Sequence, residues 1–423
     1  MPTVAKYAKE TFWALASKGA AFVFYYALIY YLTRQMTVGV WGDWSAFLAL
    51  LNVIILVSDQ GINTASKRYI VQARDSGELA GAVRATFILR VLASLLYTLL
   101  IAFVIPPLLG WLHQLDYLGL MQCSLLLVAL YGIMEYFKNL FEALHRLRFT
   151  FVINVLEHGA KFLLVILLFH GGRQFSAIVT AFTIAVGIAL VGGLLMALKT
   201  IPRIFTSPFP PGLMRQAYLY SFPIFLMSTG GFVALEIDTI MLKQLGTAYD
   251  TGIYSAAKNI VMFLPHLSIA FSMGIIPGLS VFDAGTAQAS RRIYYRVLGA
   301  IAGIYMLICA GVVVFALFGM GLFFKPEYQG ASVPLLILSP FVFLSGVSTY
   351  CGNLLDYRGL AWIRSANFGL TIIGNILLNW WWIPKWGAVG AAAASTIAFA
   401  PYCILNIWQA HGAFSPERTA VRS

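Results

Sequence analysis

The sequence predicts an all-α membrane protein, and three observations carry that prediction: its composition, the length of its apolar runs and the sidedness of its basic residues. Of 423 residues, 60% are hydrophobic and only 10% charged, where soluble domains carry about 25% charge. Mean hydropathy is +0.82. A globular core in water cannot hide that much apolar surface. A soluble enzyme, a disordered regulator and a nucleic-acid-binding module are therefore excluded. At about 35 residues for a span and its loop, the length accommodates roughly a dozen membrane helices.

The first apolar run, 11–33, follows Lys6 and Lys9 in the manner of a signal peptide. It continues through Leu32 without a small-residue cleavage site, so it reads as an uncleaved first span. Further runs of spanning length lie at 44–65, 86–109, 117–138, 151–169 and 175–198. The stretch from Lys199 to Arg215 then interrupts the pattern with Pro202, Pro208, Pro210 and Pro211 and reads as a linker. Runs resume at 217–241, 252–280, 296–319, 331–352, 361–383 and 387–408. The expectation is twelve transmembrane helices. They form an N-terminal lobe over 1–200 and a C-terminal lobe over 217–423 that ends in a short cytoplasmic tail. A cytoplasmic linker at 201–216 joins the two.

An even number of spans puts both termini on one side. The loops and ends on that side hold nineteen of the 28 basic residues, among them Lys67, Arg68, Arg74, Arg84, Lys138, Arg146 and Arg148. The opposite loops hold five: Arg34, Arg173, Lys243, Lys325 and Lys385. Positive residues stay on the cytoplasmic side, so both termini are expected there. The same bias accounts for the net charge of +12 without a nucleic-acid partner.

The halves echo each other. Leu32, Gly42, Trp44, Ser45 and Ala46 match Leu242, Gly252, Tyr254, Ser255 and Ala256 at one constant spacing. Asn154 and Thr183-Ile184-Ala185 match Asn367 and Thr396-Ile397-Ala398 at nearly the same spacing. Duplication of a six-span unit follows. Both copies then enter from the cytoplasm as parallel repeats, a recurrent plan for transporters with a site between the halves.

An ionisable group in hydrocarbon costs several kcal/mol unless it is paired or faces water. The intramembrane candidates are Lys18, Asp59, Arg90, Glu135, Glu157, His158, Lys161, Glu236, Asp238, Lys258 and His266. Spans nine to twelve hold essentially none. That asymmetry suits a central cavity lined by selected helices. Two readings stay open for Lys18, which lies about 10 Å into its span: snorkelling to the interface, or facing a wet cavity. Lys258 lies within reach of Glu236 and Asp238, and a structural ion pair competes there with a binding role. Glu157 and Lys161, four residues apart with the acid first, are placed to pair. Asp59, Arg90 and Glu135 lie near cytoplasmic ends and are either interfacial or coupling groups. Pro265 with His266 marks a bend in span eight, a candidate gate.

No catalytic constellation, phosphate-binding glycine loop or HExxH pair occurs, and no cofactor or metal is expected. Cys123, Cys309, Cys351 and Cys403 are widely spaced and read as apolar core. Trp380-Trp381-Trp382 and Trp386 read as an interfacial aromatic anchor.

Three segments carry a family resemblance. The first runs Tyr220-Ser-Phe-Pro223, then Asp238-Thr-Ile-Met-Leu-Lys243, then Gly252-Ile-Tyr254-Ser255. The second is Asn375-Ile-Leu-Leu-Asn379, followed by Ile383-Pro384-Lys385-Trp386-Gly387 and Gly390-Ala391-Ala392. The third is Asp59-Gln-Gly61 with Lys67-Arg68-Tyr69. Together they resemble the polysaccharide (Wzx-type O-antigen/oligosaccharide) flippases of the multidrug/oligosaccharidyl-lipid/polysaccharide superfamily. The resemblance implies two six-helix lobes around a central cavity. It also implies translocation of a polyprenyl-diphosphate-linked oligosaccharide across the bacterial inner membrane by alternating access, for cell-surface polysaccharide biosynthesis. Lys18 and Lys258 match helices that carry cavity cations in that family and are the expected diphosphate contacts. Glu236, Asp238, Glu135, Glu157, Lys161, Arg90 and Asp59 are the ion-pair or coupling candidates. The implied partners are the lipid-linked glycan, membrane lipid and glycan polymerase or assembly proteins.

Two other classes compete. A cation-coupled multidrug exporter of the same superfamily would use Glu135, Glu157 and Asp59 as an acidic pocket. A membrane glycan polymerase or ligase would need a large external loop, and none is present here.

Overall fold

The computed structural model describes residues 4–412 apart from 75–76, 209, 263, 266, 269–286 and 359, and within these the chain is helical, without a β-strand. The first half comprises α1 (Val4–Gln35), α2 (Val38–Asp59), α3 (Ile62–Arg74), α4 (Leu79–Trp111), α5 (Leu118–Ala143), α6 (Leu147–Leu168) and α7 (Phe175–Thr200). The second comprises α8 (Leu213–Leu245), α9 (Ala248–Val261), α10 (Ala287–Val314), the short α11 (Met320–Phe323), α12 (Ser332–Tyr357) and α13 (Ala361–Gly412).

Nine stretches of the described residues are long and apolar enough to cross a bilayer. The last, Ala361–Gly412, carries both the eleventh and twelfth expected spans. Gly387 at φ 53° separates them, and a Cβ there would fall 2.3 Å from Asp250 Oδ1. The same carboxylate accepts from Ala388 N (3.4 Å), so Asp250 caps the second half of α13.

Two expected spans are interrupted. The second, read as one run, breaks after Asp59: Gln60 and Gly61 take φ 51° and 69°, and α3 starts as a separate short helix. In the eighth, α9 ends at Val261, ahead of Pro265. The hydroxyl of Tyr305 accepts from Ser268 N (3.0 Å) and donates to Leu264 O (2.8 Å). The backbone polar groups freed at this break therefore keep partners, as an apolar surrounding demands. His266 lies outside the described residues.

By internal packing the chain divides into two compact units, residues 1–36 with 47–233 and residues 37–46 with 234–423. In the first unit, α1 and α6 run side by side in the same direction. Glu10 accepts from Leu147 N (2.8 Å), Trp13 packs on Phe151 and Asn154 donates to Ser17 Oγ (2.6 Å). Further along, Phe24 lies against Gly159, and the Tyr31 hydroxyl donates to Phe169 O (3.1 Å). Parallel packing is what the first and fifth of alternating spans require.

In the second unit, the start of α2 meets α9 through the two glycines paired in the sequence repeat. A Cβ on Gly42 would sit 1.9 Å from the carbonyl oxygen of Ala248, and one on Gly252 would sit 2.1 Å from that of Val38. Val38 and Ala248 are themselves a repeat pair, so the contact is reciprocal. Each backbone seats in a gap that only a missing side chain leaves. Asp43 and Lys243 (2.6 Å) tie α2 to α8 beside this contact.

The exposed large apolar residues, including Leu95, Leu99, Phe103, Leu195, Leu307 and Leu377, are the lipid-facing residues of a bundle solvated by hydrocarbon. Trp380, Trp381 and Trp386 are exposed as well, with Lys385 Nζ 4.4 Å from the Trp381 ring centre. Cys123 corrects the core reading of the cysteines: it is exposed, whereas Cys351 and Cys403 are buried.

Replacing Gly42 or Gly252 by alanine drives a methyl into a carbonyl oxygen and should lower stability by about 1–3 kcal/mol. Gly39 has nothing within 4 Å of its would-be Cβ, so Gly39→Ala is the matched control. Thermal unfolding of the purified protein in detergent should separate the two cases.

Candidate functional site

Polar clusters inside otherwise apolar helices lie in both units. In the first, the end of α2 supplies the anchor. Helix termini leave carbonyls without intrahelical donors, and here Arg90 of α4 satisfies them. Its Nη1 donates to Ser58 O (3.3 Å), Asp59 O (3.1 Å) and Asp59 Oδ1 (3.2 Å). Asn63 Nδ2 donates to the same carboxylate at 2.5 Å. Arg90 is 0% exposed. This corrects its interfacial reading: the side chain does not snorkel but closes a helix end. Gly132 of α5 makes the room, since a Cβ there would lie 1.5 Å from Arg90 Nη2.

A second chain of charges joins α5 to α6. Glu157, 1% exposed, accepts from Lys138 Nζ and from Lys161 Nζ, both at 2.5 Å. Lys138 also donates to Glu135 Oε1 (2.8 Å). The predicted Glu157–Lys161 pair is present, but its buried hub was missed. Lys138 reads in the sequence as a cytoplasmic-side cation, whereas it is 8% exposed and bridges two carboxylates. Asp59, Glu135 and Glu157 are thus matched by Arg90, Lys138 and Lys161, three charges against three. His158 stands 3.9 Å from Glu157.

In the second unit, Lys258 Nζ donates to Glu236 Oε2 (2.9 Å) and Thr239 Oγ1 (3.0 Å). The Glu236–Lys258 pair therefore forms, and the alternative Asp238–Lys258 pair does not. Asp238 is held by neutral donors: Asn379 Nδ2 on Oδ1 (2.5 Å), and Tyr254 OH (2.6 Å) with Ser395 Oγ (2.5 Å) on Oδ2. Asn375 Oδ1 accepts from Asn379 Nδ2 at 3.0 Å. Asp238, Lys258, Thr371, Asn375 and Ser395 supply the polar lining of a mainly apolar cavity of about 60 Å³, room for a few waters.

Asn375, Asn379, Tyr254 and Ser395 were quoted in the sequence as motif or repeat residues, or passed over, without a role. The available signal was two amides four apart in an apolar run, which share one face of a helix. Lys18 is exposed on α1, next to buried Ser17. Lys18 and Lys258 lie in different units, each placed by its own helices.

Glu157 pairs with buried Lys138 and partly buried Lys161. Glu157→Gln would leave their charge uncompensated in a low-dielectric interior and should cost about 3–5 kcal/mol. Chemical denaturation in mixed micelles measures it; a change below ~1 kcal/mol would show that the lysines are not held by this carboxylate.

Comparison with known proteins bears on the family and the fold. A family model described as polysaccharide biosynthesis protein matches residues 7–282. The probable low-salt glycan biosynthesis flippase Agl15 of Haloferax volcanii is 22% identical over 387 residues, 89% of this chain and 78% of that protein. Among solved structures, an inward-facing multidrug resistance MATE family transporter of the MOP superfamily aligns with TM-score 0.75 and 13% identity, over 94% of this chain and 96% of that one. The MATE transporter VcmN of Vibrio cholerae, in its bent form, aligns with TM-score 0.62 and 14% identity over 96% and 98%. These structures share the fold. With the family model covering well over half of its length, the chain belongs to the polysaccharide biosynthesis protein family.

Proposed function

We propose that this protein flips a polyprenyl-diphosphate-linked oligosaccharide across the bacterial inner membrane by alternating access, in the synthesis of a cell-surface polysaccharide such as O-antigen. The observation that carries this reading is the likeness over 89% of the chain to a probable glycan biosynthesis flippase. The physical requirement agrees with it. A diphosphate and its sugars cannot cross hydrocarbon, while a polyprenyl tail can remain in it. The protein therefore has to offer a polar, partly cationic interior within an apolar exterior. Lys18 is exposed for contact, and Lys258 borders a cavity while held ready by Glu236 and Thr239. Ammonium groups suit phosphate oxygens through charge-assisted hydrogen bonds. Both termini lie in the cytoplasm in this reading, and the break at Pro265 serves as the gate.

A cation-coupled multidrug exporter is the second reading, favoured by the shared fold of the MATE transporters. Export of small cationic drugs from cells or vesicles, independent of any glycan, is the result it requires.

The test is complementation of a bacterial strain lacking its glycan flippase but carrying the glycan this protein serves. Lys18→Ala and Lys258→Ala should each lower surface glycan by about tenfold, since a hydrogen bond to a charged group contributes about 1.5–3 kcal/mol. The double variant should abolish export at an unchanged membrane level of protein. Wild-type export by the double variant would remove these lysines from the diphosphate site.

A further inference from the structure

The lipid-facing rows of α4 and α7 are mainly aliphatic, with Leu92, Leu95 and Leu99 on one and Ile188, Val191 and Leu195 on the other. Helix α1 departs from that rule. Among the described residues, its stretch Phe12–Gln35 is the least apolar and the least buried of the nine that can cross a bilayer. One side of α1 is committed to α6 through Trp13, Ser17, Phe24 and Tyr31. The other side carries a different set of groups.

With about 100° between successive residues, Lys18, Phe22, Tyr25 and Tyr26 all fall on the side turned away from α6. Lys18 is exposed, Phe22 is 44% exposed, and Tyr25 and Tyr26 are half-buried. The Phe22 and Tyr26 rings lie 4.5 Å apart and tilted, and Tyr25 meets Tyr26 edge-on at 5.5 Å. They form an aromatic ledge. Along the helix axis Phe22 stands about 6 Å beyond Lys18, and the two tyrosines about 10–12 Å beyond it. Hydrocarbon gains nothing from an ammonium and two phenols in one row. A sugar ring does, because its C–H face packs on aromatic rings while its hydroxyls exchange hydrogen bonds with phenols.

We propose that this ledge, Phe22 with Tyr25 and Tyr26, binds the sugar rings nearest the diphosphate of the carried lipid. The inference rests on the flippase reading and on Lys18 as a diphosphate contact. Opposite charge brings the diphosphate to Lys18, and the first sugars then lie alongside the rings one to two helical turns further on. Sites for such ligands are mostly aromatic surface with a few polar groups that fix orientation, and the two phenols supply those groups. The competing occupant is the acyl chains of the bilayer, which leucine would serve equally well.

The test compares two lipids on the purified full-length chain in detergent: a polyprenyl diphosphate without sugar, and the same lipid bearing one N-acetylglucosamine. Dissociation constants are read from the thermal unfolding midpoint, which rises with a ligand that binds the folded state. The sugar-bearing lipid is expected to bind the wild type more tightly than the bare one. Phe22→Leu and Tyr26→Leu keep α1 apolar, and circular dichroism confirms their native helix. Each should remove most of that preference, a loss of about fivefold for the sugar-bearing lipid, the scale of one ring contact. Tyr26→Phe should keep most of it, and Lys18→Ala should weaken both lipids alike. The ledge alone is overturned, with the flippase reading left standing, by equal wild-type affinity for both lipids, by leucine variants with an undiminished preference (acyl chains as the occupant), or by leucine variants that lose both lipids alike. Binding of neither lipid by the wild type removes the flippase reading and the ledge with it.

Discussion

The cost of a charge in an apolar medium organises this protein. Hydrocarbon outside the bundle rewards apolar residues on every helix, so apolar burial alone says little about which helix packs on which. Buried ionic groups are the exception, because each has to find a charged or hydrogen-bonding partner. Glu157 joins α5 to α6 through Lys138 and Lys161, and Arg90 of α4 closes the end of α2 over Asp59. Glycine serves the same purpose in two places. Gly132 clears a seat for the guanidinium, and Gly42 and Gly252 let α2 and α9 approach to backbone distance. The small residue and the charged one are two sides of one packing rule: where no side chain stands, a backbone or a long polar group can enter.

The two units hold their buried charges differently. The first neutralises its buried charges internally. The second pairs Asp43 with Lys243, holds a lysine that donates to both a carboxylate and a hydroxyl, and keeps one carboxylate among neutral donors. Asp238 and Lys258 border the same small cavity, Lys258 paired with Glu236 and Asp238 held by Asn379, Tyr254 and Ser395. The transporter fold and the membership of a polysaccharide biosynthesis family agree with this physical picture.

Much of this was legible in the residues. Among the described residues the apolar runs correspond to helices, with two exceptions of one kind. Asp59-Gln-Gly61 and the stretch before Pro265 sit within continuous hydropathy, yet the backbone breaks there, because positive φ or a lost donor decides locally what hydropathy averages away. The Gly42 and Gly252 match, weak as a string of letters, corresponds to a physical contact between the matched segments. Lys138 was misplaced because its position in sequence, at the end of a run, resembles a loop cation. Only α6 packing beside α5 brings Glu157 to it.

Composition, run length and charge sidedness determined by themselves that this chain is a helical membrane protein with buried ionic groups, because the free energy of placing each residue type in hydrocarbon depends on little but the residue. Which carboxylate meets a lysine and which meets only neutral donors was decided only by the tertiary structure. Glu236 and Asp238 are two residues apart and share a chemistry, but two residues on a helix point about 200° apart. One therefore reaches Lys258, and the other turns toward Tyr254, Asn379 and Ser395.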